Sequence, residues 1–179
     1  MKTDNIERYF NSLGKTIVLQ TQKELKGKKG STSLGTSITH KVIKTPDGYS
    51  LQFYMDSYGT FLDKGVSGNK KKKKFKNYLG AKITSPYSYT TKQPPPDILS
   101  KWIKKKRIKG RDKKSGRFIS NLSLAFIIGR AIKRDGIKSL SFFQKPLGKN
   151  LKQFAPEMLN AVKEDIINDL TTTSEWQQS

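Results

Sequence analysis

Lys70 to Lys74 form a run of five lysines near the middle of the chain, inside FLDKGVSGNKKKKKFKN at residues 61–77. Any fold must keep these side chains out of its core and hold their mutual repulsion in check. The surroundings sharpen that demand. Residues 64–117 carry 19 basic residues against two acids, Asp97 and Asp112, a local charge of +17 within a net +22 for the chain. The last 35 residues, with four basic and five acidic side chains, are close to neutral. Charge concentrated in one block calls for an anionic partner, either nucleic acid or an acidic protein surface.

The chain is long enough, at 179 residues, for one domain with a real core. Its 34% hydrophobic content and mean hydropathy of -0.68 are low, so one modest core with long polar excursions ordered by partners is expected. Cysteine is absent, which removes disulfides, thiol nucleophiles and Cys-based zinc sites. MKTDNIERYF lacks the apolar stretch of a signal peptide, and no segment nears the roughly 20 apolar residues of a membrane span. A cytoplasmic protein with no membrane partner is expected.

Ile6, Tyr9, Phe10, Leu13 and Ile17 recur at spacings of three and four, which predicts an amphipathic helix over 4–25. Asp4 with Glu7 has the form of a capping box, and Gly27 suits the C-terminal cap. KGKKGSTSLGTS, 26–37, reads as a linker. A short strand is expected over 38–44, then a TPDG turn, then a strand over 49–58 with Tyr49, Leu51, Phe53 and Met55 on one face. GTFLDKGVSG reads as a Gly-punctuated loop, and 66–96, with its PPP, as extended and irregular. Asp97 starts a short helix. Phe118–Arg134 is expected as an apolar helix packing Phe118, Leu122, Ala125, Phe126 and Ile132 inward and stopped by Gly136. Residues 137–147 link to a last helix, with Pro156 in its first turn and Met158, Val162, Ile166 and Leu170 as its buried stripe, beside Leu159 and Ile167. Residues 171–179 form a polar tail in which Trp176 could dock on a partner. The expected fold class is α+β: a small antiparallel β-sheet flanked by an N-terminal helix and two or three C-terminal helices. It forms a single domain over 1–179, with a basic Pro/Lys-rich insertion at 66–117.

Nothing in the chain reads as a catalytic site, and no cofactor or metal is expected. His40, the lone histidine, lies in a predicted strand and reads as a structural or surface residue. Asp56 and Asp63 flank a turn, but a two-metal site needs several converging carboxylates and no further acid joins them in sequence. GVSGNKKKKK lacks the G-x-x-x-x-G-K-[ST] form and the preceding βα unit of a P-loop.

The binding candidates are therefore the cations. They fall in two segments: Lys70, Lys71, Lys72, Lys73, Lys74 and Lys76, then Lys104, Lys105, Lys106, Arg107, Lys109, Arg111, Lys113, Lys114 and Arg117. Lysine dominates, which suits non-specific attraction of phosphates more than bidentate readout of bases. Phe75, Tyr78, Tyr87 and Tyr89 interleave and could stack on bases or anchor the loops to the domain. A solvated loop that only keeps the protein soluble is the plain alternative.

YSLQFYMDSYGTFLDKGVSG resembles the segment of neck and tail-completion proteins of tailed bacteriophages in which an aromatic-rich strand leads into a spaced aromatic, apolar, acid and glycine pattern. The matching residues are Tyr58, Phe61, Leu62, Asp63 and Gly65. SLSFFQKPLGKNLKQFAPEMLNAVKEDIINDL is similar to the closing stretch of that family, with Phe142, Phe143, Pro146 and Leu147 in place. PPPDILSKWIKKK followed by FIIGRAIKRDGIKSLSFF resembles variants from crAss-like phages. Lys64 before Gly65 and the long lysine-rich insertion depart from the pattern. The resemblance implies a non-enzymatic virion head–tail connector protein, assembled in the host cytoplasm. Its copies would form a hexameric or dodecameric ring at the neck or upper tail, touching the portal, adjacent ring proteins and double-stranded DNA without sequence specificity. The alternative is a free sequence-independent nucleic-acid-binding protein that packages or condenses DNA.

Overall fold

The computed structural model describes residues 4–29 and 32–175, with side chains over 5–29 and 32–171. Its elements are α1 (Asp4–Lys29), α2 (Ser33–Ser37), β1 (Thr39–Thr45), β2 (Gly48–Tyr54), α3 (Tyr58–Lys64), β3 (Val66–Ser67), β4 (Lys74–Lys76), β5 (Lys82–Thr84), α4 (Pro96–Lys105), α5 (Asn121–Asp135), β6 (Gly136–Ile137) and α6 (Gln144–Glu175). The class is α+β: β1 pairs with β2, β3 with β6 and β4 with β5, each as a two-stranded ladder. The chain divides into two compact units, one of Met1–Gly59, Lys76–Ala81 and Ser141–Ser179, the other of Thr60–Phe75 and Lys82–Leu140. The basic segment 66–117 falls in the second unit apart from residues 76–81.

In the first unit, α1 and α6 run antiparallel. Pairings at both ends fix this: Asp165 with Asn5 and Ile6, and Lys145 with Glu24. Ile6, Phe10 and Ala161 centre the core, with Tyr9, Phe154, Met158 and Val162 packed around them and Val42, Tyr49 and Leu51 of the hairpin closing it. Phe10 stacks on Tyr49 with centroids 5.8 Å apart and meets Phe154 edge-on at 6.0 Å. The β1/β2 register, Thr39↔Tyr54 through Thr45↔Gly48, leaves Pro46 and Asp47 as a two-residue turn, where the sequence places it. Tyr49, Leu51, Phe53 and Met55 are all half-buried, as their period of two predicts. His40 lies against α1: a Cβ on Gly14 would come within 2.3 Å of its ring.

Several expectations are corrected here. The linker expected over 26–37 is replaced by helix on both sides: α1 continues to Lys29, and Thr32 caps α2, which buries Leu34. The strand after the turn ends at Tyr54, and Tyr58–Lys64 is helix rather than loop. α6 begins at Gln144, so Pro156 lies inside it and not in its first turn. Its inward face is Phe154, Met158, Ala161 and Asp165, whereas Leu159, Ile166, Ile167 and Leu170 are exposed. The helix also runs on to Glu175 in place of a tail beginning at 171, and Trp176 lies outside the described residues. The amides of Asn5 and Ile6 go to the Asp165 carboxylate, at 3.0 and 3.1 Å.

In the second unit α4 packs on α5. Pro95 and Pro96 open α4, where a missing N–H costs nothing. Ser120 caps α5 by accepting from the Ser123 amide, and Gly136 ends it as expected. Of the residues predicted to pack inward from α5, only Ala125 is fully buried and Ile132 is half-buried. Phe118, Leu122 and Phe126 are exposed; α5 instead turns Ala125 and Gly129 inward, and a Cβ on Gly129 would lie 3.4 Å from Pro94 O.

Candidate polyanion-binding surface

The lysine run is pinned rather than loose. Ser67 pairs in β3 with Gly136, and also exchanges hydrogen bonds with a second strand-like segment, donating to Tyr87 O and accepting from Tyr89 N. Beyond it the chain turns across the C-terminal end of α5. The amides of Asn69 and Lys70 donate to the carbonyls of Lys133 and Arg134, at 2.9 and 3.1 Å. These carbonyls belong to the last turn of α5, where no helical partner exists, so the loop satisfies the helix and the helix holds the loop. Lys73 N donates to Ser67 Oγ at 3.0 Å, which fastens the other end of the run.

Two glycines make this docking possible. A Cβ on Gly68 would sit 2.2 Å from Arg134 O, and one on Gly136 would sit 2.2 Å from Val66 O. The second glycine of GVSG is therefore a close-approach residue and not a phosphate cradle.

Lys74, the last of the run, and Lys76 point outward from β4 while Phe75 between them is buried. Phe75 thus anchors the strand. Tyr87 does the same by meeting Phe61 edge-on at 4.5 Å. Tyr89 is half-buried, and burial pushes its pKa up. Tyr78, by contrast, is exposed.

Lys71 Nζ lies 3.1 Å from Asp135, whose other contact is a two-point hydrogen bond from Arg134. The Asp135 carboxyl is held well below the usual carboxylate range, by Arg134 first and Lys71 next. A carboxylate lowered in the folded state contributes stability above its unfolded pKa and loses it only as the pH falls through the lower folded value. Acidification from neutrality to about pH 4, the ordinary Asp value, is therefore expected to leave the loop docked. Slow exchange of the Asn69 and Lys70 amides should persist to that pH, and its loss at about pH 5, above the ordinary Asp value, would contradict the pairing.

The second basic segment is also built. Lys104, Lys105 and Lys106 end α4, and Arg107 reverses the chain in a left-handed conformation with φ 54. Residues 111–118 form a small hairpin: Arg111 bridges Phe118, Asp112 N donates to Arg117 O, and Gly116 N returns to Asp112 O. Asp112 Oδ1 accepts from the amides of Lys114 and Ser115 and from the Ser115 hydroxyl. These bonds, the Ser115 amide's first, hold its carboxyl low. The Arg111 guanidinium and the Lys109 ammonium lie over the Phe118 ring, at 4.3 and 5.6 Å. Lys113, Lys114 and Arg117 project from the hairpin.

All the candidate cations are exposed except Lys73, which is half-buried. They do not merge into one cluster. The lysine run sits at the C-terminal end of α5 and the hairpin leads into its N-terminal end. Fifteen residues of helix separate them, about 22 Å at roughly 1.5 Å per residue. Lys133 and Arg134 lie on α5 beside the run, a proximity that sequence reasoning missed because it arises only when the loop folds back on the helix.

In the second unit, Leu62, Asp63 and Gly65 of the FLDKG stretch are held by backbone contacts. Leu62 O accepts from Leu140 N, Asp63 O from Ser139 Oγ at 2.5 Å, and Gly65 O from Ser85 Oγ. Asp63 is buried and Gly65 has φ 73. In the first unit Phe142 is fully buried, Phe143 packs edge-on against Phe53, Pro146 is buried and Leu147 half-buried, while Tyr58 OH is 3.3 Å from Ser33 Oγ. Among the described residues no three acidic, histidine or cysteine side chains come together as a metal site, and no helix is long and apolar enough to cross a membrane. No family model, curated protein or solved structure matches the chain.

Proposed function

We propose that the chain is a structural subunit of a closed ring at the neck or upper tail of a tailed phage, joining the portal side to the tail. Its ordered basic loops face DNA or an acidic neighbour, and it performs no catalysis. The observation that carries this reading is apolar surface left open beside those loops. In the second unit Ile98 and Trp102 on α4, and Phe118, Leu122, Phe126 and Ile127 on and before α5, are all exposed, at 65, 43, 59, 48, 45 and 49%. Ile98 with Trp102 and Leu122 with Phe126 stand four apart on their helices, so each pair shares one face, and an exposed apolar helix face suits a protein–protein contact. Copies related by a closed rotation would cover them and place the lysine runs around one annulus. The motif residues from Tyr58 to Gly65 and from Phe142 to Leu147 add the likeness to neck proteins. The ordering of the loops within a single chain also fits a free, sequence-independent DNA binder, which would act as a monomer.

The solution mass decides between them. The wild-type chain should scatter light as a salt-resistant multiple of 20.3 kDa. Leu122→Ser with Phe126→Ser, both at exposed positions, should remain folded but fall to one copy. A wild-type monomer at every salt concentration, binding DNA only at low salt, would overturn the ring.

A further inference from the structure

We infer that a cleft in the first unit, centred on α6 rather than on the two basic segments, binds the phosphodiester backbone of nucleic acid. Lys145, Lys149 and Lys152 stand at i, i+4 and i+7 on α6 and so share one face, spanning about 10 Å at roughly 1.5 Å per residue. The turn at 76–81 lies across from them. Asn77 closes this turn on itself: its amide donates to Ala81 O, and its side-chain oxygen accepts from Ala81 N. Two contacts press it onto α6. Tyr78 N donates to the buried Gln144 side chain at 3.1 Å, and a Cβ on Gly148 would lie 2.2 Å from Tyr78 O. Only glycine at 148 lets the turn come this close, and the approach leaves a cleft of about 370 Å³ lined by Lys76, Lys145, Lys149 and Lys152.

Among the described residues no acid lines this cleft. Lys145 reaches away to Glu24 at 2.7 Å. Among the described residues Lys76, Lys149 and Lys152 have no carboxylate partner. Several like charges held on two rigid elements repel one another unless an anion lies between them. Lysine ammoniums are hydrated point charges, suited to phosphate rather than to base edges. A nucleic-acid strand advances about 3.4 Å per phosphate along the axis, so the lysine face of α6 spans about three of them. Tyr78 and Leu79, exposed by 42 and 75%, give the rim an apolar edge for a sugar or a base. This site takes from the proposed function only that DNA is the polyanion, and it stands whether or not the chain closes a ring.

The test is binding of the full chain to a fluorescently labelled DNA duplex, followed by anisotropy from about 50 to 200 mM salt, the range over which phosphate contacts are lost. Lys149→Gln with Lys152→Gln alters two exposed side chains. It should lower the log–log salt slope by about two, near 0.9 per phosphate contact, and weaken binding at low salt roughly tenfold or more. Should the pair fail to fold, Lys152→Gln alone should lower the slope by about one. An unchanged slope and affinity in the folded variants would overturn the inference. So would absence of wild-type binding at low salt, while the ring would still be judged by solution mass.

Discussion

Gly136→Ala is expected to cost on the order of 3 to 5 kcal/mol, enough to unfold the second unit or leave it marginal. Two effects add. Gly136 has φ 76 and ψ -174, a conformation essentially closed to residues with a Cβ. The added methyl would also sit 2.2 Å from Val66 O and 2.5 Å from Gly68 N, and these are backbone atoms that cannot rotate aside. Those same atoms carry β3 and the start of the lysine loop, so the loop would leave the end of α5. Trypsin gives a direct readout. The wild-type run should resist cleavage at Lys70 to Lys74 relative to the variant, since the amides at 69 and 70 are bonded to α5. Equal cleavage rates and equal melting would show that the docking does not restrain the loop.

Asp165→Ala is expected to cost about 1 to 3 kcal/mol in the first unit. Asp165 is 2% exposed, and its two oxygens accept from the first amides of α1, Asn5 and Ile6. Alanine leaves both amides without these acceptors, the Ile6 bond being buried, and removes a negative charge from the positive end of a helix. The side-chain amide introduced by Asp165→Asn would keep one acceptor oxygen, so that variant should lose less. The ordering in urea midpoints, wild type above Asp165→Asn above Asp165→Ala, is the check. A loss below about 0.5 kcal/mol for the alanine variant would mean that solvent replaces the carboxylate.

Asp165 also illustrates what sequence can and cannot disclose. The 3.6-residue period on α1 is regular enough to read, and so are the alternation from Tyr49 to Met55 and the stop at Gly136. The last helix misleads because its inward face includes a carboxylate. Phe154, Met158, Ala161 and Asp165 are spaced at i, i+4, i+7 and i+11, but an acid at the fourth position turns the reading toward Ile166 and Leu170 instead. Only the fold shows that this acid meets the start of α1. Residues 137–147 read as a link to the last helix, but the helix already begins at Gln144, and Pro146 falls in its first turn, where it is tolerated. Gly148 is required by the turn at 76–81. Gly59 and Gly65 disguise α3 as a loop. Gly59 is the small residue that Met55 and Leu34 pack against, and Gly65 only terminates the helix.

The basic segments are plain in composition, but their separation is not. Sequence places them on either side of a Pro-rich stretch and a short helix; the fold sends one to each end of α5. The face of Lys145, Lys149 and Lys152 is legible as a periodic stripe. Its opposition to Lys76 is not, since that pairing depends on the contact between Tyr78 and Gly148.

Electron microscopy of the purified protein tests the ring most directly. Closed annular particles, hexameric or dodecameric, are expected, and they should persist at high salt because apolar faces hold them together. Monodisperse single copies of 20.3 kDa at all salt concentrations, with or without duplex DNA, would contradict the ring.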